Sequence, residues 1–312
     1  MVELADIALA RYRLAPYLQP TPMEDAPRLG RGICLKLENT NKTHSFKVRG
    51  ALNAMLSLSD EQRANGIVAA SSGNHAQGVA YAAKLLKLTA KIVMPSHTPK
   101  RKLAGVERYG GAAILHGEIY HEAEQEARRL EREENLTFVS PYNDPRVIAG
   151  AGTIGLEILD SLPDVERVIV PVGGGGLISG IATAIKCCRP QTEVIGVNAT
   201  AGAAMYNLIY GGETEDTSDT LAEALPGEIE KGSMTVDIIR ACVDRIVLVS
   251  EEAIAEGMRF MVREQGWIVE GGGAVGVAAL LCGAIPTDER RTVVVISGGN
   301  VDADTLVRVL DR

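Results

Sequence analysis

The sequence has no excess of positive charge. Its 40 acidic residues outnumber 32 basic ones, for a formal charge of −8. A nucleic-acid binder would show a basic face or stripe, so that class is set aside, and the balance suits a soluble cytoplasmic protein. Cysteine is scarce and odd in number: Cys34, Cys187, Cys188, Cys242 and Cys282 have no metal-type spacing. The adjacent Cys187 and Cys188 do not make a CxxC redox pair, and free thiols in a reducing compartment are expected. Proline-rich linkers, low-complexity tracts and internal repeats are also missing. Met1-Val2-Glu3-Leu4-Ala5-Asp6 is acidic and lacks the apolar stretch of a signal peptide, which leads to the expectation of a cytoplasmic location. Residues 168–185 carry no charge and approach the roughly 18 residues of a membrane-span candidate. Pro171 and four glycines near the middle would break a lipid-exposed helix. A buried strand, a glycine loop and a helix start are expected there, and no membrane association.

What is present is a large α/β pattern. A chain of 312 residues with 46% hydrophobic content buries a substantial core, in two domains or one large unit. Short β-branched runs at 66–70, 91–94, 112–115, 167–170, 193–197, 245–249 and 292–296 alternate with helical stretches. Continuous apolar strands imply burial on both faces, and the alternation implies mostly parallel sheets. Over 74–88, Val79, Ala82, Ala83 and Leu86 fall at helical spacing with Lys84 and Lys87 turned outward. Over 120–134, Ala123, Ala127 and Leu130 form a buried stripe, and Glu124 with Arg128 makes an i,i+4 pair.

Three stretches carry chemistry. Ser71-Ser72-Gly73-Asn74-His75 lies between a strand and a helix, where unpaired N–H groups and the helix dipole favour an anion such as a substrate carboxylate; the plain alternative is N-capping. Val172-Gly173-Gly174-Gly175-Gly176-Leu177 follows a strand and opens a helix. Four glycines let backbone amides converge on a phosphate, and the contiguous run lacks the G-x-G-x-x-G spacing of a dinucleotide site. The third is Thr43-His44-Ser45-Phe46-Lys47-Val48-Arg49-Gly50-Ala51, after Leu35-Lys36-Leu37-Glu38-Asn39. A lone lysine is usually a solvated charge, and only these neighbours single out Lys47.

With these motifs, and with Ser297-Gly298-Gly299-Asn300 near the end, the chain resembles fold-type-II pyridoxal-phosphate (PLP) enzymes of the threonine/serine dehydratase and serine racemase branch. The resemblance runs from Thr21-Pro22 to Asn300. It implies a two-domain, tryptophan-synthase-β-like α/β fold with open parallel sheets flanked by helices. Residues 1–65 and 144–312 would form a large PLP-binding domain, and 66–143 a small mobile domain. It implies that Lys47 forms the Schiff base and then acts as base, with Phe46 packed near the cofactor. Gly173, Gly174, Gly175, Gly176 and Leu177 would hold the phosphate. Ser71, Ser72, Gly73, Asn74 and His75 would hold the substrate carboxylate, Asn74 lying also near the cofactor's phenolic oxygen. Ser72 matches the opposite-face acid/base of racemases, Ser297 the partner of the pyridine nitrogen, and Glu270 would line the ring. A hydroxyl at Ser297 favours rapid β-elimination over long-lived carbanions.

Several positions depart from the family's pattern. His44 stands where glycine is usual. Asn198 and Ala204 replace the acidic residues that bind a divalent cation, so no metal is expected. Ala224 replaces a glycine near the site, and Glu270 is followed by Gly271-Gly272-Gly273 where proline is more usual. No regulatory domain follows the last motif, so inhibition by isoleucine is not expected. The expectation is a PLP-dependent ammonia-lyase acting on a β-hydroxy amino acid such as L-threonine or L-serine, working as a homodimer or homotetramer. An amino-acid racemase, a threo-3-hydroxyaspartate dehydratase and a non-catalytic PLP-binding sensor remain as alternatives.

Overall fold

Strands covered on both faces must be apolar throughout, and Arg167–Pro171, Thr292–Ile296 and Ile67–Ala70 are buried at every position. The one charge among them, Arg167, is neutralised by Glu193 and Asp288 and donates to the Pro286 carbonyl. The computed structural model describes residues 2–98, 100–212 and 219–311. Among these residues the strands are β1 (Met23–Asp25), β2 (Ile33–Leu37), β3 (Ile67–Ala70), β4 (Ala90–Met94), β5 (Ala112–Leu115), β6 (Thr137–Phe138), β7 (Arg167–Pro171), β8 (Glu193–Ala199), β9 (Arg245–Val249) and β10 (Thr292–Ile296). They form a larger sheet in the order β1-β2-β10-β7-β8-β9 and a smaller one in the order β5-β4-β3-β6. Every pairing is parallel except β1 with β2. The fold is therefore the parallel α/β arrangement that the sequence pattern implies.

Three strands escape sequence reading. β1 and β6 are only three and two residues long, and in β2 the apolar run is interrupted by Lys36, which is nonetheless buried against Glu157 at 2.6 Å. The helices Asn74–Leu86 and Tyr120–Glu133 stand where their spacing places them, with Ala123, Ala127 and Leu130 buried. Arg128, however, hydrogen-bonds Glu131 rather than Glu124 and lies over the Phe138 ring, 3.6 Å from its centroid. An aromatic face supplied by the neighbouring strand decides its rotamer.

The smaller sheet is covered on one side by Ala123, Ala127 and Leu130. On the other, Ile67, Ala69, Ile92 and Met94 share a core with Val48, Ala51, Leu52 and Met55 of the helix Lys47–Leu56. That helix also packs on Pro145–Ser161, where an added Cβ on Gly150 would lie 2.6 Å from the Arg49 carbonyl oxygen. It thus lies between the smaller sheet and the helix Pro145–Ser161. In the larger sheet Ile296 pairs with Leu37, so β2 and β10 end level with one another. The parallel β7 runs alongside. The segments after Leu37, Pro171 and Ile296 leave at one edge, the place where open α/β sheets bind ligands.

Candidate active site

The chain reverses sharply before Lys47. Thr43 and His44 both adopt left-handed backbone, with φ of 61° and 54°. Ser45 then bridges to Gly298, Phe46 N–H donates to the Ser297 carbonyl at 3.0 Å, and Gly299 N–H donates to the His44 carbonyl at 2.9 Å. The Lys47 segment and the Ser297 loop are therefore laced together by backbone. Lys47 opens its helix with its Nζ 2.8 Å from the Pro141 carbonyl oxygen and 5.1 Å from the Phe46 ring centroid. Burial lowers its pKa to about 8, against the opposing pull of Glu270.

Glu270 caps the helix Gly271–Leu281. Burial raises its carboxyl to about 7, tempered by a 2.7 Å hydrogen bond from Asn74 Nδ2. Asn300 donates to Asn74 Oδ1 and to the Thr43 carbonyl, both at 2.8 Å, which makes a chain of contacts from the Lys47 turn through Asn300 and Asn74 to Glu270. Ser297 is buried, with its hydroxyl 3.5 Å from the Gly272 carbonyl. Ser71, Ser72 and Gly73 are half-buried ahead of Asn74. No side chain caps the helix that Gly73 begins, and an added Cβ on Gly73 would meet nothing within 4 Å. His75 is buried with Nε2 2.9 Å from the Val139 carbonyl and no partner for Nδ1. Burial, then the charge of Lys47, depresses its pKa to about 3. The neutral ring donates to Val139, which leaves the backbone of His75 as the part that serves the loop.

The glycine loop follows β7, with Gly175 left-handed at φ 85° as the N-cap of the helix Gly176–Cys188 and no side-chain cap. Here the structure adds a reason for glycine that spacing did not show. A Cβ on Gly173 would fall 2.9 Å from the Leu225 carbonyl oxygen, and one on Gly174 2.5 Å from the Tyr142 ring. The loop is glycine because protein packs on it as well as because an anion suits it. Leu177 is buried in the core beneath it, with Val172 and Ile178. Asn198 is buried in β8 and donates to the Val172 and Gly202 carbonyls.

Sequence reading missed four contributors. Pro141 offers only a backbone oxygen, which no motif marks. Tyr142 and Asn143 reach the loop 226–234, a contact between segments distant in sequence. Glu223 on the 219–225 loop pairs with Lys102 at 3.0 Å. The fourth is a buried cluster in which Arg49 meets Glu38 at 2.8 Å and Glu157 at 2.5 Å. Arg49 lay inside the motif, but its partners were invisible there.

Residues 14–298 match the family described as pyridoxal-phosphate dependent enzyme. The chain belongs to this family. Its relatives include the L-threonine ammonia-lyase of Thermotoga maritima, 42% identical over all of this chain and 79% of that protein. The catabolic L-threonine dehydratase TdcB of Escherichia coli K12 is 42% identical over 99% of this chain and 96% of its own length. Among solved structures, maize serine racemase superposes with a TM-score of 0.92 at 33% identity, covering 99% of this chain and 97% of that one.

The residues present fit the family's cofactor. A primary amine of lowered pKa serves an aldehyde, since the neutral form is the nucleophile. Two helix N-termini without side-chain caps, at Gly73 and Gly175, offer N–H groups to anionic groups. Ser45 Oγ, two residues before Lys47, is buried without a partner, as expected where a polar group awaits a ligand.

Proposed function

We propose that this protein is a PLP-dependent ammonia-lyase that converts L-threonine or L-serine to an α-keto acid and ammonia. The observation that carries the chemistry is Lys47: a half-buried amine with a pKa of about 8, in the electrostatic reach of Glu270 and laced to the Ser297 loop. The substrate class rests on full-length similarity at 42% identity to L-threonine ammonia-lyases.

Lys47, Phe46, Asn74, Glu270, Ser297 and the loop from Gly173 to Leu177 would hold the cofactor. When bound, PLP supplies an aldehyde carbon and a ring able to accept the electron pair left at the substrate Cα. The chain's residues do the rest. N–H groups of residues 71–75 bind and orient the substrate carboxylate. Lys47 Nζ takes the Cα proton, and its lowered pKa keeps a usable fraction neutral near pH 7. Ser297 presents a hydroxyl, which does not hold a ring nitrogen in its protonated form as a carboxylate would. The β-hydroxyl departs as water, the proton it gains balancing the one that Lys47 removed from Cα, and hydrolysis by one water then releases the α-keto acid and ammonia.

We take residues 66–143 to be the unit that closes over the substrate. We take position 198 to bind no divalent cation, because Asn198 and Ala204 bring no carboxylate there. A cytoplasmic homodimer or homotetramer is the expected assembly, to be checked by sedimentation.

The test is α-keto acid release by the PLP-loaded protein from L-threonine, L-serine, D-serine and threo-3-hydroxyaspartate. Release from L-threonine or L-serine is expected, and Lys47→Ala should abolish both release and the absorption band of the cofactor's linkage to Lys47. Racemisation is the second reading, favoured by Ser72 and by the likeness to maize serine racemase. Inverted substrate without keto acid on chiral chromatography would establish it in place of the lyase.

A further inference from the structure

The turn formed by residues 140–143 has no role in the reading above, yet it touches both ends of the place where the cofactor would lie. Ser140 Oγ accepts from the backbone N–H groups of Tyr142 at 3.4 Å and Asn143 at 3.0 Å, which folds the turn on itself. Its Pro141 carbonyl takes the Lys47 amine at 2.8 Å. One residue on, Tyr142 lies against the glycine loop. A Cβ built on Gly174 would sit 2.5 Å from ring carbons Cγ and Cδ1, and one on Gly176 would sit 3.0 Å from the Tyr142 backbone.

The ring is anchored. Its hydroxyl accepts the Glu230 N–H at 2.9 Å, and Asn143 both donates to Glu230 Oε2 at 2.6 Å and accepts the Met234 N–H at 3.1 Å. From the next helix, the Thr235 hydroxyl donates to the Gly174 carbonyl at 2.9 Å. Gly174 is therefore held by a ring and by a hydrogen bond. A run of four glycines has the widest backbone freedom a chain offers, so its amides converge on an anion only if something outside the run holds it.

We propose that Tyr142 is a positioning residue that pins residues 173–176 in their anion-binding shape. Pro141 on the same turn meets Lys47 Nζ through its backbone oxygen, a contact that does not use the ring. This inference rests on the cofactor reading above. It is selective: losing the ring should harm recognition of the phosphate and spare recognition of the aldehyde.

Pyridoxal keeps the aldehyde and lacks the phosphate, so it separates the two. Cofactor-free wild type, Tyr142→Ala, Tyr142→Leu and Tyr142→Phe would each be titrated with PLP and with pyridoxal, following visible absorption, after thermal melts confirm folding. Tyr142→Ala is expected to weaken PLP about tenfold or more, with pyridoxal affinity left within about twofold, while Tyr142→Phe keeps most of the PLP affinity. If Tyr142→Ala does not fold, the PLP-to-pyridoxal ratio in Tyr142→Leu decides. An unchanged ratio, or a Phe variant as impaired as Ala, overturns the role of the ring. A wild-type protein that takes up no PLP overturns the cofactor reading itself, and this inference with it.

Discussion

At Lys47 two surroundings pull in opposite directions: burial disfavours the ammonium, and the nearby Glu270 carboxylate favours it. Burial prevails, and the pKa falls from 10.5 to about 8. About a tenth of the amine is then neutral at pH 7, several hundred times more than for a solvated lysine. Capture of PLP by the cofactor-free protein should therefore quicken as pH rises and level off above a midpoint near 8, measured by stopped-flow absorbance. A midpoint near 10 would contradict the burial. The same shift makes Lys47 destabilising below about pH 8. That penalty fades between 8 and 10.5, because over this window the unfolded chain holds the extra proton. His44 shows a cost of another kind. Its left-handed φ of 54° strains a residue with a Cβ, and glycine usually stands there in the family that the sequence resembles. His44→Gly should stabilise the protein by about 0.5–1 kcal/mol, the relief of strain less the greater freedom of glycine in the unfolded chain. Urea unfolding checks it; a lower midpoint in the variant would mean that His44 makes a contact worth more than its strain.

Elements near the site are held by charge as well as by apolar packing. Arg49 sits two residues after Lys47 on the same helix, is 2% exposed, and bonds Glu38 after β2 and Glu157 on the helix Pro145–Ser161. Lys36 also meets Glu157, and Thr21 donates to Glu38. Two cations balance two carboxylates, so the cluster is neutral as a whole and each member depends on the others. Arg49→Met should cost about 3–5 kcal/mol, since it leaves two buried carboxylates facing one lysine. Chemical denaturation measures this, and a loss below about 1 kcal/mol would show that water or rearrangement compensates. Sequence reading placed Arg49 beside Lys47 but had no means of pairing it with Glu157, 108 positions away. For the same reason β2 went unread, because Lys36 looks like a surface residue until its partner is known.

On the scale of the whole molecule, the helix Lys47–Leu56 packs on the smaller sheet and on the helix Pro145–Ser161, and the Lys102–Glu223 pair joins two distant segments near the site. Glu223 is about half exposed, so the pair should add no more than about 0–1 kcal/mol to stability. Its value lies in position. If residues 66–143 close on the substrate, as proposed, Glu223→Gln should favour the open form and raise KM with little change in the unfolding midpoint. The KM of the wild type should rise with salt while that of the variant stays flat. Steady-state kinetics across ionic strengths would show it, and a KM unchanged by both mutation and salt would remove the pair from substrate binding.

The sequence by itself determined the local matters: parallel strands from continuous β-branched runs, the helices from their spacing, and the motifs around Lys47, Asn74, Gly173 and Ser297. Each of these is written in neighbouring residues, where propensity and periodicity act. Only the tertiary structure decided that the Pro141 carbonyl takes the Lys47 amine, that Tyr142 presses on Gly174, and that Asn300, Asn74 and Glu270 form one chain of hydrogen bonds. Those partners lie from 32 to 226 positions apart, and nothing in local sequence encodes a contact that exists only once two sheets have packed. The lowered pKa of Lys47 belongs with them, because burial is a property of the packed molecule and not of the residue.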